Sequence, residues 1–342
     1  MSQRMRVVVC GCGGISGLWF KCLQDIPAIE VVGIVDLNEK AAEARKAEFG
    51  LAKAQTGGDL AAMLKLTKPE AVFDCTFPGA HSLVATTALK HGCHVLGEKP
   101  MADSMENARK SLAAAKKSGR VYAVMQNRRH TPGVIAYRNL IQSGKLGEPT
   151  MLHANFLIGC HFNSSFQQHM KHVLLLDMAI HTFDEARFLS GADPVGVFCK
   201  DWNPKGSWFD HEAAAVAVFE MSHGVTFTYR GSWAAQGLNT AWDAEWSCVC
   251  TKGSGTWDGR EAIRAERVTK VTGGFFDKLA PVSVKVPKMK WDYHAALLRD
   301  FVDCIRAGRR PQTHAADNIR SLAMVFAAIE SSETGKFVKI RA

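Results

Sequence analysis

Three residues in VLLLDMAIHTFDEARFLSG, positions 173–191, could do acid–base chemistry together. Asp177, His181 and Asp184 stand at i, i+4 and i+7, which places them in one narrow stripe of an α-helix. The rest of the circumference is mostly Val, Leu, Met, Ala, Ile and Phe, so the helix reads as buried on most sides and closed by Gly191. A carboxylate in such surroundings is costly unless it is paired or hydrogen-bonded. An imidazole, which ionises near neutral pH, is suited to take a proton from a hydroxyl group. The same spacing also fits a plain core: a hydrogen-bonded histidine, with an acid favoured by the helix dipole near the N-terminus. The elements that would position the stripe decide between the two.

A chain of 342 residues is long for one domain, so two are expected. It has no run of about 18 apolar residues, and no membrane span is expected. The opening MSQRMRVVVCGCGG lacks the architecture of a signal peptide. Ten cysteines without a small-domain framework fit a reduced, cytoplasmic protein. The pairs Cys10/Cys12 and Cys248/Cys250 read as a strand-to-loop junction and alternate strand residues, so no metal site is expected. The net charge of +9 is scattered. Arg128-Arg129 and Lys285, Lys288 and Lys290 read as local or solvated charge, and no nucleic-acid partner is expected.

The first third alternates strand and helix. The apolar strand Arg6–Cys10 runs into Gly11-Cys12-Gly13-Gly14-Ile15-Ser16-Gly17 and then a helical stretch. Such a loop allows a tight turn and close approach of a pyrophosphate, which rests on the amides of a helix N-terminus. The second strand, Val31–Val35, ends in Asp36, roughly 20 residues past the loop, where a carboxylate takes ribose hydroxyls. Ser16 stands at the third glycine position and is small enough for close packing. Strands Ala71–Cys75, His94–Gly97 and Val121–Gln126 follow, with Asp59 and Asp103 as expected helix caps. Residues 1–127 therefore read as a Rossmann-type, doubly wound parallel sheet. Carboxyl ends of strands line the ligand crevice in such sheets. Gly11, Gly13, Gly14, Ile15, Ser16, Asp36, Thr76, Phe77, Glu98, Lys99 and Asn127 are accordingly expected at the cofactor. Asp36 is followed by Leu37-Asn38, without an arginine to receive a 2′-phosphate, so NAD is expected over NADP.

From Arg128 the pattern changes. Thr131 caps and Pro132 starts a helix to Gly144. Alternating stretches at Thr150–Ile158, Val195–Asp201, Glu212–Met221, Val225–Trp233 and Trp242–Cys250, with a short His223-Gly224 turn, indicate an open, largely antiparallel β-sheet. Residues 128–342 then form an α+β domain whose closing helices, Tyr293–Ala307 and Ala315–Ser332, can pack back on the first. One face of the sheet is expected to expose Trp233, Trp242, Trp246 or Trp257 as a partner surface.

GCGGIS, VDLN, CTFPGAH (75–81), GCHVLGEKP (92–100), QNRRHTP (126–132), the DxxxHxxD stretch (177–184) and the closing GRRPQTHAADNIRSLAMVFAAIESSETGK occur in this order. Together they make the chain resemble the glucose–fructose oxidoreductase / inositol dehydrogenase / rhizopine catabolism (Gfo/Idh/MocA) family over nearly its full length. The resemblance implies an NAD(P)-dependent dehydrogenase acting on a sugar or cyclitol hydroxyl. It places Lys99, Asp177 and His181 on catalytic positions, adds His81 to the cofactor set and implies a cis peptide before Pro100. It also implies a homodimer or homotetramer built through the second domain's sheet. The substrate region departs from the pattern, with Lys171-His172-Val173 in place of a glycine run and Ala179 in place of a glycine. His161, Asn163 and His169, in the polar stretch before it, are candidate polyol contacts beside Lys99, Asp177 and His181. Two other readings stay open: a redox-neutral glycosidase or epimerase that retains its NAD, and a non-catalytic NAD-binding sensor.

Overall fold

The structure, a computed structural model, describes residues 4–162 and 166–342. It divides into two compact units, Met1–Asn127 with Trp291–Ile319, and Arg128–Lys290 with Arg320–Ala342. Among the described residues no helix is long and apolar enough to cross a membrane.

The first unit holds six parallel strands: β1 (Met5–Cys10), β2 (Ile29–Val35), β3 (Gln55–Gly57), β4 (Ala71–Asp74), β5 (His94–Gly97) and β6 (Tyr122–Val124). Their order is β3-β2-β1-β4-β5-β6. The connecting helices are α1 (Gly14–Gln24), α2 (Glu39–Glu48), α3 (Leu60–Thr67), α4 (Pro78–Lys90) and α5 (Met105–Ser118). The order reverses between β1 and β4, and that switch point is where such sheets bind dinucleotides. Val7, Val9, Phe73 and Leu96 are fully buried, as a sheet covered on both faces requires. Asp59 caps α3 as expected, accepting from the Ala62 N–H. The cap of α5 is Ser104 rather than Asp103: its hydroxyl accepts from the Asn107 N–H, while Asp103 takes the Asn107 side-chain amide. Helix α8 (Tyr293–Arg306) contributes Leu297, Leu298, Phe301 and Val302 to this unit's core, with the Phe301 ring 5.9 Å from that of Phe73.

The second unit is a nine-stranded mixed sheet. Helix α6 (Pro132–Gln142) starts at Thr131, whose hydroxyl accepts from the Val134 N–H. Then come β7 (Pro149–Leu157), α7 (Ile180–Ser190), β8 (Pro194–Trp202), β9 (Ala214–Met221), β10 (Thr226–Ser232), β11 (Glu245–Cys250), β12 (Gly253–Trp257), β13 (Ile263–Lys270) and β14 (Lys278–Pro281). Helix α9 (Ala315–Thr334) and β15 (Val338–Lys339) end the chain. All neighbours in the sheet run antiparallel except β7 and β10, which are parallel.

The expected tryptophan face is corrected. Trp233, Trp246 and Trp257 are buried, and of the four only Trp242 is exposed, at 52%. Alternation sorts residues onto two faces without saying which face is covered. Trp246 falls on the covered side with Cys248 and Cys250. The open side instead carries Met151, Phe198, Val216, Val218 and Val249.

Candidate active site

In the first unit, Gly11, Gly13, Asp36, Thr76 and Phe77 line one cleft of about 600 Å³ at the carboxyl ends of the strands, together with Cys10, Leu37, Gly58, Cys75 and Leu83. Gly11 has φ 94°, and a Cβ there would lie 2.6 Å from the Cys75 carbonyl carbon, so only glycine fits this turn. A Cβ on Gly13 or Gly14 would meet nothing within 4 Å. Helix α1 begins here with no side-chain cap and no acid in its first turn, which leaves its N-terminal amides for an anion. The Asp36 carboxylate is already aimed: Oδ2 accepts from the Cys12 N–H (2.7 Å) and Oδ1 from the Asn38 N–H (2.8 Å). Leu37, Phe77 and Leu83 stand exposed beside the cleft, an apolar setting suited to an adenine ring. These features fit NAD.

Other expected cofactor residues act one layer behind. Ser16 is buried; its hydroxyl donates to the Gly13 carbonyl (2.6 Å) and accepts from Arg45 Nε (3.1 Å). Arg45 also donates to the Gly13 carbonyl (3.0 Å), so an arginine does back the phosphate loop, although Leu37-Asn38 supplies none. His81 is buried with Nδ1 2.9 Å from Asp74 Oδ2, and Asp74 Oδ1 accepts from the Thr76 hydroxyl (2.6 Å). Burial alone would lower the His81 pKa, but the charge and hydrogen bond of Asp74 outweigh it and raise it. Asp74 and His81 thereby hold Thr76 at the cleft. Burial likewise pushes the Cys10 and Cys75 thiols well up, and Cys12 to about 12, so all three stay protonated. Gly14, Ile15, Glu98, Lys99 and Asn127 do not line this cleft.

Lys99 follows β5, half-buried, and the Lys99–Pro100 peptide is cis, as the resemblance implied. Its neighbour Glu98 is buried and tightly held. Glu98 accepts from Trp19 Nε1 (2.7 Å) and from the Lys99 N–H (3.1 Å), and His294 Nε2 lies 3.5 Å away. Asn127 Nδ2 lies 3.0 Å from the other nitrogen of His294, Nδ1, so the imidazole bridges Asn127 and Glu98. Burial pushes the Glu98 carboxyl up, yet His294, Lys99 and Trp19 together hold it below the usual range. Glu98 is thus a fixed anion beside Lys99. Trp19 and His294 were not singled out from sequence, since they lie far from the Glu-Lys-Pro motif along the chain.

In the second unit the expected single helix is in two parts. Leu174–Ala179 is a π-helix and α7 continues from Ile180 to Ser190, with Gly191 at φ 71° as the C-cap. Single wide turns of this kind within helices are frequent at functional sites. Asp177 is half-buried in the wide turn and His181 is buried in the first turn of α7. Asp184 has another role. It is buried, and both of its oxygens accept from Arg129 (2.6 Å each), with a third hydrogen bond from Ser321 (2.7 Å). Arg128 and Arg129, read as local or solvated charge, are buried and locally paired rather than solvated, with Arg128 near Glu185 (3.7 Å) and Asp243 (3.6 Å). His161 stacks on Trp208 with centroids 3.8 Å apart, and exposed His169 pairs with Asp210 (2.5 Å). Asn163 lies outside the described residues.

Residues 5–126 match the profile of the oxidoreductase family with an NAD-binding Rossmann fold, GFO_IDH_MocA, and residues 134–256 match the GFO/IDH/MocA C-terminal domain. A D-apiose dehydrogenase of Paraburkholderia graminis is 25% identical over 99% of this chain and 90% of its own. An inositol 2-dehydrogenase of Rubrobacter xylanophilus is 28% identical over 59% and 57%. Among solved structures, an oxidoreductase from Agrobacterium radiobacter in complex with NAD+, L-tartaric acid and magnesium superposes with a TM-score of 0.87 at 21% identity, covering 98% of each chain.

Proposed function

Because the chain belongs to the GFO/IDH/MocA family of NAD-binding oxidoreductases, we propose that it oxidises a secondary ring hydroxyl of a sugar, sugar derivative or cyclitol. The observation that carries the reading is the placement of Asp177 and His181 on either side of a π-to-α junction in a chain that also builds a dinucleotide cleft. Bound NAD supplies the hydride acceptor. His181 takes the hydroxyl proton, Lys99 donates a hydrogen bond to the same oxygen as alkoxide charge develops, and Asp177 orients substrate or imidazole. The names of the D-apiose and inositol dehydrogenases support a polyol substrate. A panel of aldoses, apiose and inositols with NAD, followed by NADH absorbance, tests this. No substrate-dependent NADH across the panel defeats it, and NAD retained through purification without net NADH turns the reading to a redox-neutral enzyme.

NAD is the expected cofactor rather than NADP. The Asp36 carboxylate, fixed by two backbone amides at the cleft, repels a 2′-phosphate and accepts from ribose hydroxyls. Asp36→Ala narrows the preference in kcat/KM; equal or better efficiency of the parent chain with NADP overturns the assignment.

The open sheet face with Met151, Phe198, Val216, Val218 and Val249 supports a homodimer or homotetramer. A monomeric mass by light scattering at micromolar concentration counts against it. Ten free cysteines favour a reducing compartment, the cytoplasm.

A further inference from the structure

The geometry points to a divalent-cation site at His172, Asp201 and Glu212, immediately before the π-helix. Nothing in the redox reading uses these residues, and they lie on separate pieces of the second unit. His172 belongs to the stretch that replaces the glycine run, Asp201 to β8, and Glu212 to the segment leading into β9. His172 Nδ1 lies 2.7 Å from Asp201 Oδ2 and 3.7 Å from Glu212 Oε2, and the three donor atoms fall within 4.8 Å of one another. Ligands about 2.0–2.2 Å from one ion at tetrahedral angles stand about 3.3–3.6 Å apart. The 3.7 Å pair is close to that spacing, and the 2.7 Å pair, a hydrogen bond as it stands, widens toward it when an ion takes the place of the shared proton.

Three further features favour a cation over a bare histidine–acid cluster. A metal-bound histidine ordinarily donates its second ring N–H to a carboxylate, which fixes its tautomer. Here Nε2, on the far side of the ring, lies 3.4 Å from Glu333 Oε1. Hydrogen bonds also fix the pieces that carry the ligands: the Ser332 hydroxyl accepts from the Asp201 backbone N–H (2.8 Å), and the His172 N–H donates to Glu212 Oε2 (3.2 Å). Finally, three carboxylates face one imidazole, and among the described residues no Lys or Arg is ion-paired with Asp201, Glu212 or Glu333. A divalent ion brings two positive charges to these carboxylates, where a proton on His172 brings one. One imidazole nitrogen with carboxylate oxygens suits Zn2+ or Mn2+ and lacks the all-oxygen shell that Ca2+ prefers. Bound there, the ion pins the chain just ahead of Leu174–Ala179, the turn that carries Asp177.

Mn2+ titration of the untagged, chelator-treated full chain, followed by loss of the free-ion electron paramagnetic resonance signal, reads the site directly. One Mn2+ per chain, displaced by Zn2+, with a Zn2+-dependent rise in Tm, is the expected result. His172→Gly is the informative variant, because His172 sits at φ 50°, where glycine relieves strain, so the protein should fold. It and Asp201→Asn should weaken Mn2+ binding at least about 10-fold and abolish the Zn2+-dependent rise in Tm, and Glu333→Gln should weaken it about 10-fold. NAD affinity should stay unchanged in all three. An undiminished free Mn2+ signal with the parent chain, or Mn2+ binding by His172→Gly equal to the parent's, overturns the proposal.

Discussion

His181→Asn and Lys99→Met should each lower turnover on the true substrate by at least about 10²-fold, while NAD affinity changes far less. The asymmetry follows from where the residues stand. The dinucleotide cleft is built by Gly11, Gly13, Asp36, Thr76 and Phe77, and neither Lys99 nor His181 lines it. His181 starts α7 and can accept the proton of the reacting hydroxyl, whereas Lys99 follows β5 with its backbone tied to Glu98. In the proposed mechanism both act on one oxygen in one step, and the double variant should then lose less than the product of the two single losses. The oxidation rate of the parent should rise with pH as the base loses its proton, and His181→Asn should lack that limb. Steady-state kinetics with NAD titration reads all of this. Near-normal kcat in either single variant would return His181 to the role of a core histidine.

The phosphate loop, Asp36 and the parallel sheet were legible because each rests on local rules: glycine for a tight turn, an acid after the second strand, apolar strands between capped helices. What escaped was decided by contacts distant in the chain. Glu98 reads as one residue of a Glu-Lys-Pro motif, but its fixed charge depends on Trp19 and His294, which no spacing rule connects to it. Arg45 lies in α2, a helix whose sequence looks solvated, yet its guanidinium reaches back to Gly13 and Ser16. The π-turn at Leu174–Ala179 was invisible for another reason. Leu174, Leu175, Met178 and Ala179 fill buried positions at either α or π spacing, so hydrophobic periodicity cannot tell the two apart. Strands β12 to β14 were missed because polar residues such as Ser254, Arg264 and Glu266 dilute the alternation on an open face.

The third member of the stripe, Asp184, is where chemistry and architecture part, and its replacement should show which is which. Asp184→Ala leaves Arg129, itself buried, without its bidentate partner, and frees Ser321, which also accepts from Arg187. Breaking a buried ion pair from one side costs about 3–5 kcal/mol, because the remaining charge stays desolvated. The loss should appear as an early urea transition of the second unit, read by the fluorescence of its buried Trp233, Trp246 and Trp257. Replacing both partners with apolar residues, Arg129→Met with Asp184→Leu, should recover much of that stability, since no orphan charge then remains. At a temperature where Asp184→Ala is still folded, its kcat per folded molecule should fall much less than that of His181→Asn. The opposite pattern, a collapsed kcat with an unchanged urea midpoint, would move Asp184 into the reacting group and remove the structural assignment of the Arg129 pair.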